Sequence, residues 1–402
     1  MKGQHQKATH KQTKTYNSQL VLKTIYDHHR ISRADVARST GLTRTSVSEL
    51  VAHLLEQGLV KEDGRGPSAG GKSPILLRVI DEARHLIGID LANSEFRGAV
   101  VNLRGEIRHT VKLPVKSDSG DEALALVYEL IDSLLASTDK PLLGIGIGTP
   151  GLIDTGHGVV QQAVNLDWQN LPLGSLLQAR YKLPIYVAND SQLAALAEHI
   201  FGGGQHTANL VVIKVGRGIG AGIVLNGQLF QGDGSGAGEI GHITVVENGK
   251  QCRCGNFGCL ETVASTRAIV QKAQELAPVH PDSLLNRFSA EPHAITIDTI
   301  WEAFEADDDL ARQIVLEAGR YLGIAAAGLV GALNVQRILV VGTMTRFGQL
   351  WLEAARQEML KRSLAMLAQR TQMEVGQLEP NVVILGASAL LLTRELGLSL
   401  TR

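Results

Sequence analysis

Apolar positions near the start of the chain recur at helical spacing. Val21, Leu22 and Ile25 mark a helix over Asn17–Tyr26. Ser32 is placed to cap a short helix, Arg33–Thr40, which Gly41 ends in a turn. Thr43 is placed to cap a third helix, in which Val47, Leu50, Val51, Leu54 and Leu55 follow the i, i+3, i+4, i+7, i+8 template. This is a helix–turn–helix whose last helix turns Thr45, Glu49 and Ala52 outward, with Arg44, Ser46 and Ser48 beside them. Small polar side chains there reach base edges without blocking entry to a major groove. The glycine-rich stretch Gly64–Pro74 follows, then the apolar run Ile75-Leu76-Leu77. Read alone it is a linker. After a helix–turn–helix, two strands around it make a wing with Arg65 and Lys72 on DNA phosphate or in a minor groove.

From residue 81 the pattern changes to strands. Leu86–Asp90, Phe96–Asn102 and Glu106–Lys112 read as three strands with Gly105 in a turn. A helix over Asp121–Ala136, a strand at Leu142–Gly148, a strand at Ile185–Ala188 and a helix at Ser191–Ile200 complete a unit. Residues Leu210–Phe230 repeat the opening strand, turn, strand, Gly hairpin, strand, which predicts a second lobe facing the first. The expected fold is α/β: a winged helix–turn–helix with a basic N-terminal arm at 1–80, then a two-lobed body. Residues 81–189 plus 382–402 form its first lobe, and 190–381 the second, with the dimerisation surface.

Charge sharpens the division. Residues 1–74 hold seven Lys and five Arg against six acidic residues, a net +6 on a chain whose total is −1. A basic head on an acidic body suits a polyanion such as operator DNA. Sixteen aromatic residues in 402 are few for a stacking single-strand binder. Three cysteines, an odd number, argue for a reducing compartment over a disulfide scaffold. Met1–Gln19 lacks Leu, Ile, Val and Phe, and the most apolar stretches, near Ile324–Val335 and Val382–Leu392, fall short of the roughly 18 residues of a membrane span. The expectation is a cytoplasmic protein without a membrane partner.

All three cysteines lie between Cys252 and Cys259, spaced C-x-C-x4-C, ten residues after His242. Cys252, Cys254, Cys259 and His242 can close a tetrahedral Cys3His site for Zn2+. Four protein ligands leave no position for an activated water, so such a zinc is structural. The alternative, three core cysteines, sits poorly with the neighbours Arg253, Gly255 and Gly258.

The run Gly236-Ala237-Gly238-Glu239-Ile240-Gly241-His242, with Cys252-Arg253-Cys254-Gly255-Asn256-Phe257-Gly258-Cys259-Leu260-Glu261, closely resembles the signature of the ROK family (repressors, open reading frames and kinases). Gly148-Thr149-Pro150-Gly151 resembles the family's sugar-site loop, and Asn189-Asp190 its catalytic-aspartate motif. The resemblance covers essentially the whole chain and implies a duplicated actin and sugar-kinase (ribonuclease H-like) body. It also implies that Gly151, Asn189, Asp190, Glu239, His242 and Glu261 bind a monosaccharide, with Asp190 at the kinase-base position. Carboxylates and an amide suit a polyol's donors and acceptors. Read alone, Asp190 has helix capping ahead of Ser191–Ile200 as its lesser alternative. Asn165-Leu166-Asp167-Trp168 is near the site by resemblance, although Trp168 reads equally well as structural.

Of three nucleotide elements, two are degraded against the kinase pattern. Asp90-Leu91-Ala92-Asn93-Ser94 replaces a Gly-Gly-Thr type turn, putting side chains where backbone should meet phosphate. Gly216–Gly222 keeps its glycines but has Arg217 in place of a small hydroxyl residue, and Val341-Gly342-Thr343-Met344 is a weakened base motif. The expectation is a sugar-responsive repressor, a homodimer or dimer of dimers, with a degenerate kinase fold and no catalytic residue in use. Two alternatives stand beside it: a sugar kinase with a DNA-binding head, and a repressor controlled by a transporter or phosphotransferase protein.

Overall fold

The caps act as their residue types require. In the computed structural model, which describes residues 10–67, 73–91, 95–115, 120–205, 207–289 and 291–398, the Ser32 hydroxyl accepts the Asp35 N–H at 3.2 Å and starts the helix Arg33–Thr40. Gly41 ends that helix with φ +70°. Thr43 accepts the Ser46 N–H at 3.2 Å and starts Arg44–Glu56. The first helix is longer than its apolar positions predict, running His10–Asp27, because its leading turns are polar and leave no periodic trace. Strands β1 (Ile31–Ser32), β2 (Val60–Arg65) and β3 (Ile75–Val79) pair in the order β1-β3-β2, which makes the fold a winged helix. Lys72, expected on the wing, lies outside the described residues.

Two five-stranded sheets share one topology. The first contains β4 (His85–Asp90), β5 (Glu95–Asn102), β6 (Ile107–Pro114) and β7 (Leu142–Thr149). A small sheet of β8 (Leu152–Asp154), β9 (Val159–Ala163) and β10 (Trp168–Leu171) precedes its last strand, β11 (Ile185–Asn189). The second holds β12 (Leu210–Val215), β13 (Ile219–Leu225), β14 (Gln228–Phe230), β15 (Arg337–Val341) and β16 (Gln372–Val375). Their orders, β6-β5-β4-β7-β11 and β14-β13-β12-β15-β16, correspond strand for strand: two antiparallel hairpin pairings, then two parallel ones.

Helices Asp190–Ile200 and Val382–Leu396 fill the space between the sheets and share a buried cluster with residues of both. Helix Asp190–Ile200 packs on Val382–Leu396 and on β12 and β13 together, so it is the seam between the lobes. Glycine makes the approach possible. A Cβ on Gly386 would stand 2.0 Å from the Leu193 carbonyl oxygen, and one on Gly222 2.4 Å from that of Ser191.

The head has no separate core. Val21, Leu22, Ile25 and Leu54 join Leu86, Leu103, Leu391 and Leu392 of the body in one buried cluster. The Tyr26 hydroxyl donates to the Leu103 carbonyl at 2.8 Å, and the Arg104 guanidinium lies 4.0 Å from the Tyr26 ring centre while donating to the Tyr26 carbonyl at 2.9 Å. In the second lobe the apolar stretch near Ile324–Val335 extends back into a 25-residue helix, Asp309–Leu333. That helix does reach membrane-spanning length and apolarity, contrary to the sequence count, but 56% of its most apolar window is buried against the lobe's own core.

Replacing Gly386 by Ala forces the seam apart. We expect a loss of about 3 kcal/mol in urea unfolding at unchanged m-value. An unshifted midpoint would show that the helices are not held at this distance.

Candidate functional site: an interlobe cleft and a Cys3His cluster

A cavity of 390 Å³ opens between the lobes, and Gly151, Asn189, Asp190, Glu239, His242 and Glu261 all line it. Strand β11 ends at Asn189, whose side-chain oxygen accepts the N–H groups of Ser191 (2.9 Å) and Gln192 (3.2 Å) and starts the seam helix. The cap is therefore Asn189, and the capping alternative for Asp190 falls away. The Asn189 amide also donates to the Gly151 carbonyl at 3.0 Å. Gly151 has φ +94°, and a Cβ there would stand 2.0 Å from the Gln162 carbonyl oxygen. Asn189 thus holds the loop as much as it faces the cleft.

Asp190 is buried and accepts from Lys214 Nζ at 2.9 Å and from the Ser191 hydroxyl at 3.2 Å. Burial alone would lower the Lys214 pKa, but the carboxylates of Asp190, Asp90 and Glu379 outweigh it and hold the ammonium above its ordinary value. Lys214 was missed at the sequence level. Its signal was one charged residue within the apolar strand Leu210–Val215. Glu239 lines the cleft and keeps 42% of its side-chain surface open. Burial, with Asp190 and Glu261 facing it, pushes its pKa up to about 7. Glu261 accepts the Ile219 N–H at 3.0 Å, which ties the glycine turn to the cysteine loop. Asn165 and Gln162 also line the cavity. Trp168 does not: it is buried, with its indole N–H on the Gly120 carbonyl at 2.8 Å, so the structural reading holds.

The ligand atoms of His242, Cys252, Cys254 and Cys259 all lie within 4.8 Å of one another. The His242 Nδ1–Cys252 Sγ distance is 3.6 Å, and the Cys254 and Cys259 sulfurs are 3.7 Å apart. Bond lengths of ~2.3 Å to sulfur and ~2.05 Å to nitrogen give tetrahedral edges of about 3.8 and 3.6 Å. The residues therefore fit a metal ion. Burial and the neighbouring thiols push the Cys259 thiol up to about 12, whereas against its desolvation the Asn256 backbone and the neighbouring thiols lower that of Cys254. His242 Nε2, the nitrogen turned from Cys252, stands 3.9 Å from the Glu239 carboxylate in the cleft.

On the head, Arg44, Thr45 and Ser48 are exposed and Ser46 is half-buried. The Ser48 hydroxyl donates to the Arg44 carbonyl, and that of Ser46 bonds Thr43. Several head cations are paired, Arg30 with Asp63, Arg33 with Glu62 and Arg38 with Asp35. The free positive charge is left at positions such as Arg44 and Arg65, which have no ion-pair partner among the described residues.

Comparison with known proteins follows these divisions. Residues 86–394 match the ROK family model and residues 18–66 the MarR family model. A xylose repressor of Caldicellulosiruptor bescii is 34% identical over 394 residues, covering 96% of this chain and 98% of that protein. A glucokinase of Halalkalibacterium halodurans is 34% identical over 317 residues, covering 78% of this chain and 96% of its own. A crystal structure of a ROK family transcriptional regulator, a homologue of the E. coli MLC protein, superposes with a TM-score of 0.84 at 29% identity, covering 96% and 98% of the two chains.

Purified protein should hold about one metal ion per chain by elemental mass spectrometry, and Cys254→Ser should lose it. Stoichiometric metal in that variant would remove Cys254 from the ligand set.

Proposed function

The chain belongs to the ROK family, and we propose that it is a transcriptional repressor released from operator DNA by a monosaccharide bound between its lobes. One observation carries the reading: a recognition helix and a cleft lined with carboxylates and an amide belong to one continuously packed body. Arg44, Thr45, Ser46 and Ser48 are the side chains assigned to base edges and nearby phosphates, with Arg65 and Lys72 on the wing. Two heads in a dimer would face successive major grooves of a palindromic operator.

In the cleft, Asp190, Glu239 and Glu261 accept hydrogen bonds from sugar hydroxyls, and His242 Nε2 and the remaining Asn189 N–H donate. We assign the cysteine cluster to structural zinc, with His242, Cys252, Cys254 and Cys259 as its ligands. Bound there, the ion would fix the loop and the tautomer of His242. The chain's own residues do the recognition.

The same geometry supports a body that does not transfer phosphate. Asp90 is 1% exposed and paired with Arg97 at 2.6 Å. The Gly342 N–H, in the weakened base motif, donates to the Glu379 carboxylate. Asp190, at the kinase-base position, is held by Lys214. Each of these three groups is engaged by a side chain, and phosphoryl transfer depends on such positioning. Ala92, Asn93 and Ser94 of the altered turn lie outside the described residues. The glucokinase likeness keeps the kinase as the second reading.

Fluorescence anisotropy on the chain's own upstream DNA tests both. A monosaccharide should lower operator affinity, and Glu239→Gln should weaken that response at least about tenfold while leaving operator affinity unchanged. Release of the variant at the wild-type sugar concentration would remove Glu239 from the site. Sugar-dependent ADP formation with Mg2+ would put the kinase first.

A further inference from the structure

Lys214 is the one charged residue of strand β12, Leu210–Val215, whose other positions are buried and apolar. Its side chain is only 13% exposed. Packing does not require it, because an aliphatic residue fills such a position without the cost of taking an ammonium out of water. Stability does not require it either: a buried ion pair replaced on both sides by apolar residues often leaves a protein as stable or more so. A cation built into an apolar strand therefore points to a task beyond packing.

The neighbouring residues make room for it. Lys214 stands opposite Gly220 on β13 and Val341 on β15. A Cβ on Gly220 would lie 2.5 Å from the Ser191 hydroxyl, so the missing side chain lets the start of the seam helix sit on the second sheet. There Asp190, delivered by the last strand of the first sheet, receives the Lys214 ammonium on Oδ2 at 2.9 Å and the Ser191 hydroxyl on Oδ1 at 3.2 Å. A carboxylate offers about four lone-pair sites. These two bonds leave others for a ligand, and both Asp190 and Lys214 line the cleft. The Asp90 carboxylate acts on the same ammonium from the first sheet, and Glu379 from the loop before helix Val382–Leu396. One cation thus faces acidic groups from both sides of the seam. On the cleft wall Asp190 and Glu239 repel each other. Without Lys214, that repulsion would act on a carboxylate held by one serine hydroxyl.

We infer that Lys214 is a positioning residue of the effector site: its ammonium fixes the Asp190 carboxylate for a ligand hydroxyl and ties the second sheet to the first beneath the ligand. The inference rests on the sugar-responsive reading and adds a residue that acts through Asp190 without touching the sugar. A hydroxyl that bonds Asp190 competes with Lys214 for one carboxylate, and so acts on a contact between the sheets.

The test titrates full-length protein with D-xylose, D-glucose and N-acetyl-D-glucosamine. Affinity is read from the rise of the melting temperature with sugar concentration, which also reports folding. For whichever sugar binds, Lys214→Met should weaken binding about tenfold or more, and Lys214→Arg, which keeps the cation, should recover most of that loss. In an Asp190→Asn background Lys214→Met should change affinity by less than about twofold, because the carboxylate it positions is gone. A side chain needed only for packing would cost the same in both backgrounds and would not be rescued by arginine. Should Lys214→Met alone not fold, Asp190→Asn is compared with Asp190→Asn plus Lys214→Met, which leaves neither charge of the pair alone. Wild-type affinity in Lys214→Met overturns the inference and leaves the sugar-responsive reading intact. So does a further loss of about tenfold in the Asp190→Asn background, which would put Lys214 on the sugar itself. Binding of none of the three sugars by the wild-type chain overturns both.

Discussion

The two-lobed body depends on the close contact of two helices. Val382–Leu396 lies on the first sheet so closely that a Cβ on Gly146 would stand 2.4 Å from the Ala387 carbonyl oxygen. On its other side Gly386 admits the backbone of the seam helix. The seam helix in turn meets the second sheet at Gly222. Side chains of ordinary size at these glycines would spread the sandwich, and with it the register that sets Asp190 beside Lys214 across the lobes. Interiors packed at this density shift as rigid bodies and do not deform smoothly. A ligand that changes contacts between the lobes therefore moves the helix as a unit.

That helix also connects the cleft to the head. It starts at Asp190 and spans eleven residues, roughly 16 Å at the α-helical rise. Its C-cap, Phe201, lies against the Gly105 turn, where an added Cβ would be 3.0 Å from the ring. Arg104, the residue before, bonds the first helix of the head at Tyr26 and pairs with Asp81 at 3.1 Å. Head and body share one buried cluster, through which this contact would transmit a rotation. In the proposed dimer, a small reorientation of one helix end would change the spacing of the two recognition helices.

Much of this was legible in the sequence. Caps such as Ser32 and Thr43 act within three residues, so type and spacing suffice to read them. The repeated strand and hairpin pattern carried the duplication, and the glycine and cysteine motifs carried the site, because loops that meet ligands tolerate few residue types. Periodicity, however, shows which face is buried and not what it is buried against. Hence Lys214 passed as a strand residue, Asn165 was noted only for its neighbourhood, and the head was read as separate from a body whose core it shares. The Asn189 cap illustrates a second limit: two adjacent residues of good capping type differ only in which one the preceding strand delivers to the helix end. The 25-residue helix was under-read because its polar first turns hide its continuity with the apolar stretch.

The central claim is that a ligand in the cleft and DNA on the head bind to one coupled body. The most direct test is calorimetric titration of the releasing sugar into the protein, free and saturated with operator. Thermodynamic linkage requires the sugar to bind more weakly to the operator complex by the same factor by which it weakens operator binding. Equal affinity for the free and DNA-bound protein would contradict the account, whatever the sugar does to transcription.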